Sequence, residues 1–166
     1  MKPRMLLALA VLLVLLMAGS LPAAADGATV PFEGFYDVSP RTVGVDQYGC
    51  TLDEFPSVGQ ATHLGSSTWY SDATSCLDFT TWTGTQTGTS IFTSVDGSQL
   101  IGTFSGVAEI VFEPFPHAVF NGNYWVTEGT GRFEGYVGQG VYEGTAILGL
   151  TGEITFEGTL TKPEKP

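Results

Sequence analysis

The sequence predicts an all-β fold and, within that class, a closed antiparallel β-barrel of about eight strands. Three observations predict it. The first is the stretch Asn121 to Leu160, where glycine recurs every few residues between β-branched and aromatic side chains. One helix is excluded there, because glycine costs roughly 0.5–1 kcal/mol per helical site relative to alanine. The second is the alternation in Glu153 to Leu160. Ile154, Phe156 and Leu160 share one face and Glu153, Thr155, Glu157 and Thr159 the other, the period of a half-buried strand. The third is Asp96-Gly97 between Val95 and Gln99, a hairpin signal, because a type I′ turn takes positive φ at both central residues. No amphipathic helix of useful length is legible. Short, evenly spaced strands with turn glycines suit a closed barrel or a sandwich, and closure removes exposed strand edges.

The chain opens with an export address. Lys2 and Arg4 precede the apolar run Met5 to Met17, and Ala23-Ala24-Ala25 fits a small-residue cleavage site, so residues 1–25 read as a cleaved secretory signal. The run is short for a membrane span, so no stable membrane anchor is expected after cleavage. No cysteine follows the site, which argues against a lipoprotein. The mature chain, 26–166, is then secreted or extracytoplasmic and suits one domain with a sizeable core. With Lys2 and Arg4 removed, Arg41, Arg132, Lys162 and Lys165 face 17 acidic residues, and a net charge of −11 becomes −13. Such a surface repels phosphate and excludes nucleic acid as a partner.

Within 26–166, residues 30–56 hold a first strand and a long connection, 57–161 the barrel body and 162–166 a polar tail. Phe32 to Val38 is the first strand, and Pro40 to Pro56, with Gly44, Asp46, Gly49 and Asp53, reads as connection. Val58 to Thr68 is a second strand, followed by Phe79 to Thr83 and Thr89 to Val95. Gln99 to Phe112 is long. Leu100, Phe104, Ala108, Ile110 and Phe112 share a face with Gly102 and Gly106, opposite Thr103, Ser105 and Glu109. Pro114 and Pro116 end it. Ala118 to Thr127 follows, and the glycine-rich end reads as several curved strands with glycines at turns, bulges and bends.

Cys50 and Cys76 are an even pair in an exported chain, which argues for one disulfide. Free, reactive thiols are the alternative, but no basic residue or histidine neighbours either one in sequence to stabilise a thiolate. Bridging positions 26 residues apart is worth about 3–4 kcal/mol in the chain-entropy picture.

Three pieces stand in order: Gly59-Gln60-Ala61-Thr62-His63-Leu64-Gly65, then Asp96-Gly97-Ser98-Gln99-Leu100-Ile101-Gly102, then Glu128-Gly129-Thr130-Gly131-Arg132-Phe133-Glu134-Gly135 with Gly138 and Gly140. In this order, over about residues 57–160, the chain resembles the bacterial secreted members of the allene oxide cyclase-like and dirigent-like barrels. The resemblance implies an eight-stranded antiparallel barrel with a central cavity, and a homo-oligomer, since plant members form trimers. The plant cyclases carry an acidic residue beside an arginine on an early strand. Here that strand is Phe32-Glu33-Gly34-Phe35-Tyr36-Asp37, with no such arginine, so no catalytic residue carries over.

The candidate ligand-binding residues are His63, Trp82, Tyr124 and Arg132. His63 is read as mid-strand, facing the cavity or the outside according to register; a hydrogen bond that orders the strand is the plainer role. Arg132 lies in a tight glycine turn of an acidic domain, which favours a bidentate carboxylate pair over a clamp on an anionic ligand. Trp82 and Tyr124 belong to an abundant aromatic set that fills a barrel core or lines a pocket for a small apolar molecule. His63 and His117 are the only histidines and show no metal-ligand spacing. No G-x-S-x-G occurs. Glu109 is expected in solvent. No catalytic residue, metal or cofactor is assigned. The expectation is a secreted, non-catalytic barrel binding a small hydrophobic ligand or a partner surface. An isomerase or cyclase of small hydrophobic substrates, motivated by the resemblance, and a structural or self-assembling exported protein are the alternatives.

Overall fold

Alternating residues and short turns leave strand as the regular element of this chain. The computed structural model describes residues 27–147 and 149–162. The expected signal over 1–25 and most of the polar tail lie outside them. Ten strands form: β1 (Thr29–Val38), β2 (Arg41–Val45), β3 (Thr51–Glu54), β4 (Ser57–Ala61), β5 (Gly65–Asp78), β6 (Thr83–Ser94), β7 (Gln99–Val111), β8 (His117–Gly129), β9 (Val137–Ala146) and β10 (Gly152–Thr161), with a 3-10 turn at Gly131–Phe133. All pair antiparallel in one sheet, ordered β2-β3-β5-β4-β1-β10-β9-β8-β7-β6, and β5 also pairs with β6. That pairing closes a ring of eight strands and leaves β2 and β3 outside it.

The strand count exceeds the expected eight because the region read as connection, 40–56, is itself a hairpin. β2 pairs with β3, and β3 lies on β5 with Thr51 opposite Ser75 and Glu54 opposite Asp72. β4 continues the same register on β5, with Ser57 opposite Trp69 and Ala61 opposite Gly65. The two are one extended run broken at Phe55-Pro56, where proline has no N–H to give the ladder. Phe55 N–H still donates to the Ser71 carbonyl at 2.9 Å. Cys50 and Cys76 are bonded, with Cα atoms 4.4 Å apart. The bridge staples this outer hairpin to the far half of β5.

Several expected strands move. Val58 to Thr68 is two strands around a tight turn closed by Leu64 N–H on the Ala61 carbonyl, and His63 sits in that turn at φ 66° rather than mid-strand. Phe79 to Trp82 is also a turn, because Asp78 pairs with Thr83. Asp96-Gly97 does make a hairpin, but only Gly97 has positive φ, 83°. Gly97 N–H meets the Ser94 carbonyl, the three-residue loop in which a type I turn is followed by one left-handed residue. Phe112 lies past the end of β7 and is exposed, while Leu100, Phe104, Ala108 and Ile110 are buried as their alternation requires. Ile154, Phe156 and Leu160 are buried too.

The glycines of 121–160 serve mostly the interior of the ring rather than its turns. Tyr124 stands opposite Gly140, Tyr142 opposite Gly122 and Phe120 opposite Gly144. Phe104 stands opposite Gly88 and Leu160 opposite Gly138. A side chain at these glycines would collide with the large neighbour: a Cβ on Gly140 would lie 2.7 Å from Tyr124 Cε1. Large residues thus lean over small ones across the ladder, which lets eight strands close around ring-sized side chains. On the opposite wall, β5 and β6 turn Ser67, Ser71, Ser75, Gln86, Ser90 and Ser94 inward. Their small volumes admit Trp69, Phe92 and Phe156, whose centroids lie 4.9–6.4 Å apart. The two edge-to-face pairs among them, both made by Phe156, add about 0.5–1.5 kcal/mol each beyond area burial.

Candidate functional site

The interior is the place where a ligand-binding ring would hold its ligand, and here it is full. The void lined by Phe55, Trp69, Gln86, Phe104, Tyr142 and Phe156 has a volume of about 10 Å³. That is room for one water at most, so the central cavity expected from the resemblance is closed by side chains. Tyr124, a candidate ligand contact, is 1 % exposed and part of this packing. Its ring covers Gly140 and its hydroxyl sits 2.6 Å from the place of a Cβ on Gly158. Tyr142 lies likewise over the facing pair Gly106 and Gly122. Neither hydroxyl has a hydrogen-bond partner among the described residues, and burial pushes both phenols well above the ordinary tyrosine range. Tyr36 differs. Burial pushes it up to about 12 against the opposing effect of Ser67 Oγ, 2.9 Å from its hydroxyl. All three phenols are held protonated at neutral pH. The buried polar side chains are otherwise serines and one glutamine, and every described Asp and Glu lies outside the core, Glu109 included.

Two surface clusters occupy opposite ends of the ring. At one end, the turns β4–β5, β6–β7 and β8–β9 meet around Arg132. Its guanidinium donates to Asp96 at 2.6 Å and to the carbonyls of His63 and Leu64 at 3.0 and 3.4 Å. Arg132 N–H donates to Ser98 Oγ, and the guanidinium carbon stands 4.9 Å from the Phe133 ring centre. The Ser94 hydroxyl, the Ser98 N–H and Arg132 together hold the Asp96 carboxyl down at about 2. His63 Nε2 lies 3.0 Å from the Pro31 carbonyl. The structure therefore brings His63 and Arg132 together, through the His63 backbone rather than its ring. Both terminal nitrogens of the Arg132 guanidinium are engaged in tying three turns to one another.

At the other end lies Trp82, in the β5–β6 turn. Its backbone takes φ 59°, the left-handed region that a bulky side chain seldom occupies. Two backbone bonds hold it there: Trp82 N–H to the Asp78 carbonyl, 2.7 Å, and Ile110 N–H to the Trp82 carbonyl, 2.8 Å. Phe79 and Phe112 stand edge-to-face with it at 5.7 and 5.0 Å. All three rings are exposed. The sequence reading places Phe79 and Phe112 in strands; in the structure both lie just past strand ends. The pairing of Asp78 with Thr83 turns the chain within four residues and leaves Phe79 in the loop, with no glycine in 79–82 to mark the turn in the sequence.

The four candidate residues thus do not form one site: His63 and Arg132 share one end, Trp82 the other, and Tyr124 the core between them. Among the described residues no group of three or more His, Cys, Asp or Glu side chains is placed to hold a metal ion. No helix there is long and apolar enough to cross a membrane. No protein-family model, curated protein or solved structure matches the chain.

Proposed function

We propose that this chain is an exported, non-catalytic barrel module that acts by presenting its surface to a partner. One observation carries the reading. The interior holds a void of only about 10 Å³, whereas large aromatic side chains stand exposed at one end of the ring. A pocket for a drug-sized apolar ligand occupies about 300–1,000 Å³, which would require several of the packed rings to leave. The ring of eight strands supports reading the domain as a barrel of the allene oxide cyclase-like and dirigent-like kind. The disulfide is compatible with an oxidising, extracytoplasmic compartment. The interior ionisable groups are phenols, already protonated at neutral pH and raised further by burial, around a void of about 10 Å³, which supplies no group that titrates near neutrality. The deficit of basic residues supports a protein partner over nucleic acid.

Native mass spectrometry of the protein purified from its exported fraction tests this. The expected result is the mass of 26–166 less two hydrogens, with no stoichiometric adduct. A small apolar molecule retained one-to-one would move the function back to the interior.

A further inference from the structure

We infer that the aromatic end of the ring, built on Phe79, Trp82 and Phe112, is a docking surface for an arginine-rich peptide segment of a partner protein. The inference rests on the surface-binding reading above and names the surface and the chemistry of the partner. The turns at this end are the β2–β3 tip, β5–β6, β7–β8 and β9–β10. Each displays a large exposed apolar side chain: Tyr48, then Phe79 and Trp82, then Phe112 and Phe115, then Leu150. The opposite end displays no exposed aromatic from its turns, and Phe133 there is buried. The stapled Cys50 holds the β2–β3 tip beside the β5–β6 turn, two residues from Tyr48 and two from Asp78 through Cys76.

Charge singles out the partner. Asp78 begins the turn that carries Phe79 and Trp82, Glu109 pairs with Thr83 at the end of that turn, and Glu113 follows Phe112. All three are exposed. No described Lys or Arg lies at this end: Arg132 is bound to Asp96 at the other end, Lys162 follows the end of β10 there, its backbone N–H on the Ala28 carbonyl, and Arg41 pairs with Glu54. Asp78 Oδ1 accepts the Thr80 N–H at 2.7 Å, but no described Lys or Arg pairs with these carboxylates, and an aromatic face ringed by them attracts a guanidinium twice, through the ring quadrupole within about 6 Å of the centroid and through the carboxylate fork. The same carboxylates oppose a second copy of this chain docked end to end. Area agrees. With Phe79, Trp82 and Phe112 exposed by 66, 38 and 48 %, the three rings present on the order of 300 Å² of apolar surface. That is within the ordinary size of the largest apolar patch on a monomer, often a functional one, before Tyr48, Phe115 and Leu150 are added to it. Trp82 holds a left-handed backbone conformation that a bulky residue seldom occupies, and glycine would serve the turn without that strain.

Fluorescence anisotropy with a labelled peptide of ten alternating arginines and glycines, at physiological ionic strength, tests the inference. The unmodified protein binds saturably. Trp82→Gly leaves net charge unchanged and suits the turn geometry, and it weakens binding at least tenfold. Phe79→Ser, a second variant that does not touch the left-handed residue, weakens it as well. Glu134→Gln, at the opposite end, changes it less than twofold. Absence of saturable binding overturns the inference, as does an affinity that follows net charge alone and ignores Trp82→Gly and Phe79→Ser. Sedimentation showing self-association lost in Trp82→Gly assigns the surface to a second copy instead. Trp82-dependent binding to phosphatidylcholine vesicles but not to the peptide assigns it to lipid. A negative peptide result beside an adduct-free native mass sinks this inference and leaves the surface-binding reading standing; a retained ligand sinks that reading by itself.

Discussion

Three buried tyrosines should respond to loss of their hydroxyls with opposite signs. Tyr124 and Tyr142 place their hydroxyls over glycine pairs with no partner among the described residues, while Tyr36 shares a 2.9 Å hydrogen bond with Ser67. Burying a hydroxyl without a partner costs about 1–3 kcal/mol on the scale of protein mutations. Tyr124→Phe and Tyr142→Phe remove that cost. They forfeit only the few contacts of one oxygen with glycine Cα atoms, at about 0.1–0.2 kcal/mol per atom pair. Each should therefore stabilise the protein by about 1 kcal/mol, or raise Tm by about 3–5 °C for a domain of this size. Tyr36→Phe loses its hydrogen bond and leaves Ser67 Oγ with the longer 3.2 Å contact to the Gly65 carbonyl, so it should destabilise by about 1 kcal/mol. Urea unfolding of the oxidised protein, followed by tryptophan fluorescence with a common m-value, reads all three. A loss of 1 kcal/mol or more in both Tyr124→Phe and Tyr142→Phe would refute the reasoning, because it would mean that both hydroxyls are satisfied in the folded protein.

Other predictions follow from the same packing and from the staple. Gly140→Ala should destabilise by at least about 1–3 kcal/mol in the same assay, since its Cβ meets Tyr124 Cε1 and the backbone of Glu157 and Gly158; a variant as stable as the parent would mean that the strands can part. The phenol of Tyr36 is raised to about 12 in the fold, and those of Tyr124 and Tyr142 are raised further, against an ordinary value near 10. The folded state thus holds these protons more tightly, so their stabilisation is complete below about pH 10 and is lost as pH rises through about 12. Absorbance at 295 nm should show three of the tyrosines ionising together with unfolding, and independent ionisation in a still-folded protein would contradict this. For Asp96 the sign reverses: its contribution is present above the ordinary carboxylate value and lost as pH falls toward about 2, and Asp96→Asn should flatten the acid limb of a stability profile. Replacing both Cys50 and Cys76 by alanine should lower stability by up to about 3–4 kcal/mol. Hydrogen exchange should then rise first in 41–54 while β7 to β10 stay protected, and uniform acceleration across the ring would contradict a local staple.

The sequence by itself determined what periodicity and composition can encode. Alternation in 153–160 put Ile154, Phe156 and Leu160 in the core, and the same reading buried Leu100, Phe104, Ala108 and Ile110. Two cysteines in a chain with an export-like start were enough to pair Cys50 with Cys76. These properties are local, or depend on a single pair, so no knowledge of neighbouring strands was needed. The tertiary structure decided the rest. Whether an in-strand glycine marks a bend or the seat of an aromatic ring depends on which residue faces it across the ladder, and Gly122, Gly140 and Gly144 face Tyr142, Tyr124 and Phe120. The hairpin β2–β3 was hidden because its glycines and aspartates read as connection and its partner strand lies some twenty residues away. His63 and Trp82 were placed in strands because positive φ at a non-glycine residue leaves no mark in composition. The expected cavity closed because the space inside a ring of eight strands is the difference between its girth and the summed volume of side chains from every strand. That difference, about 10 Å³ here, exists only once all of them are in register.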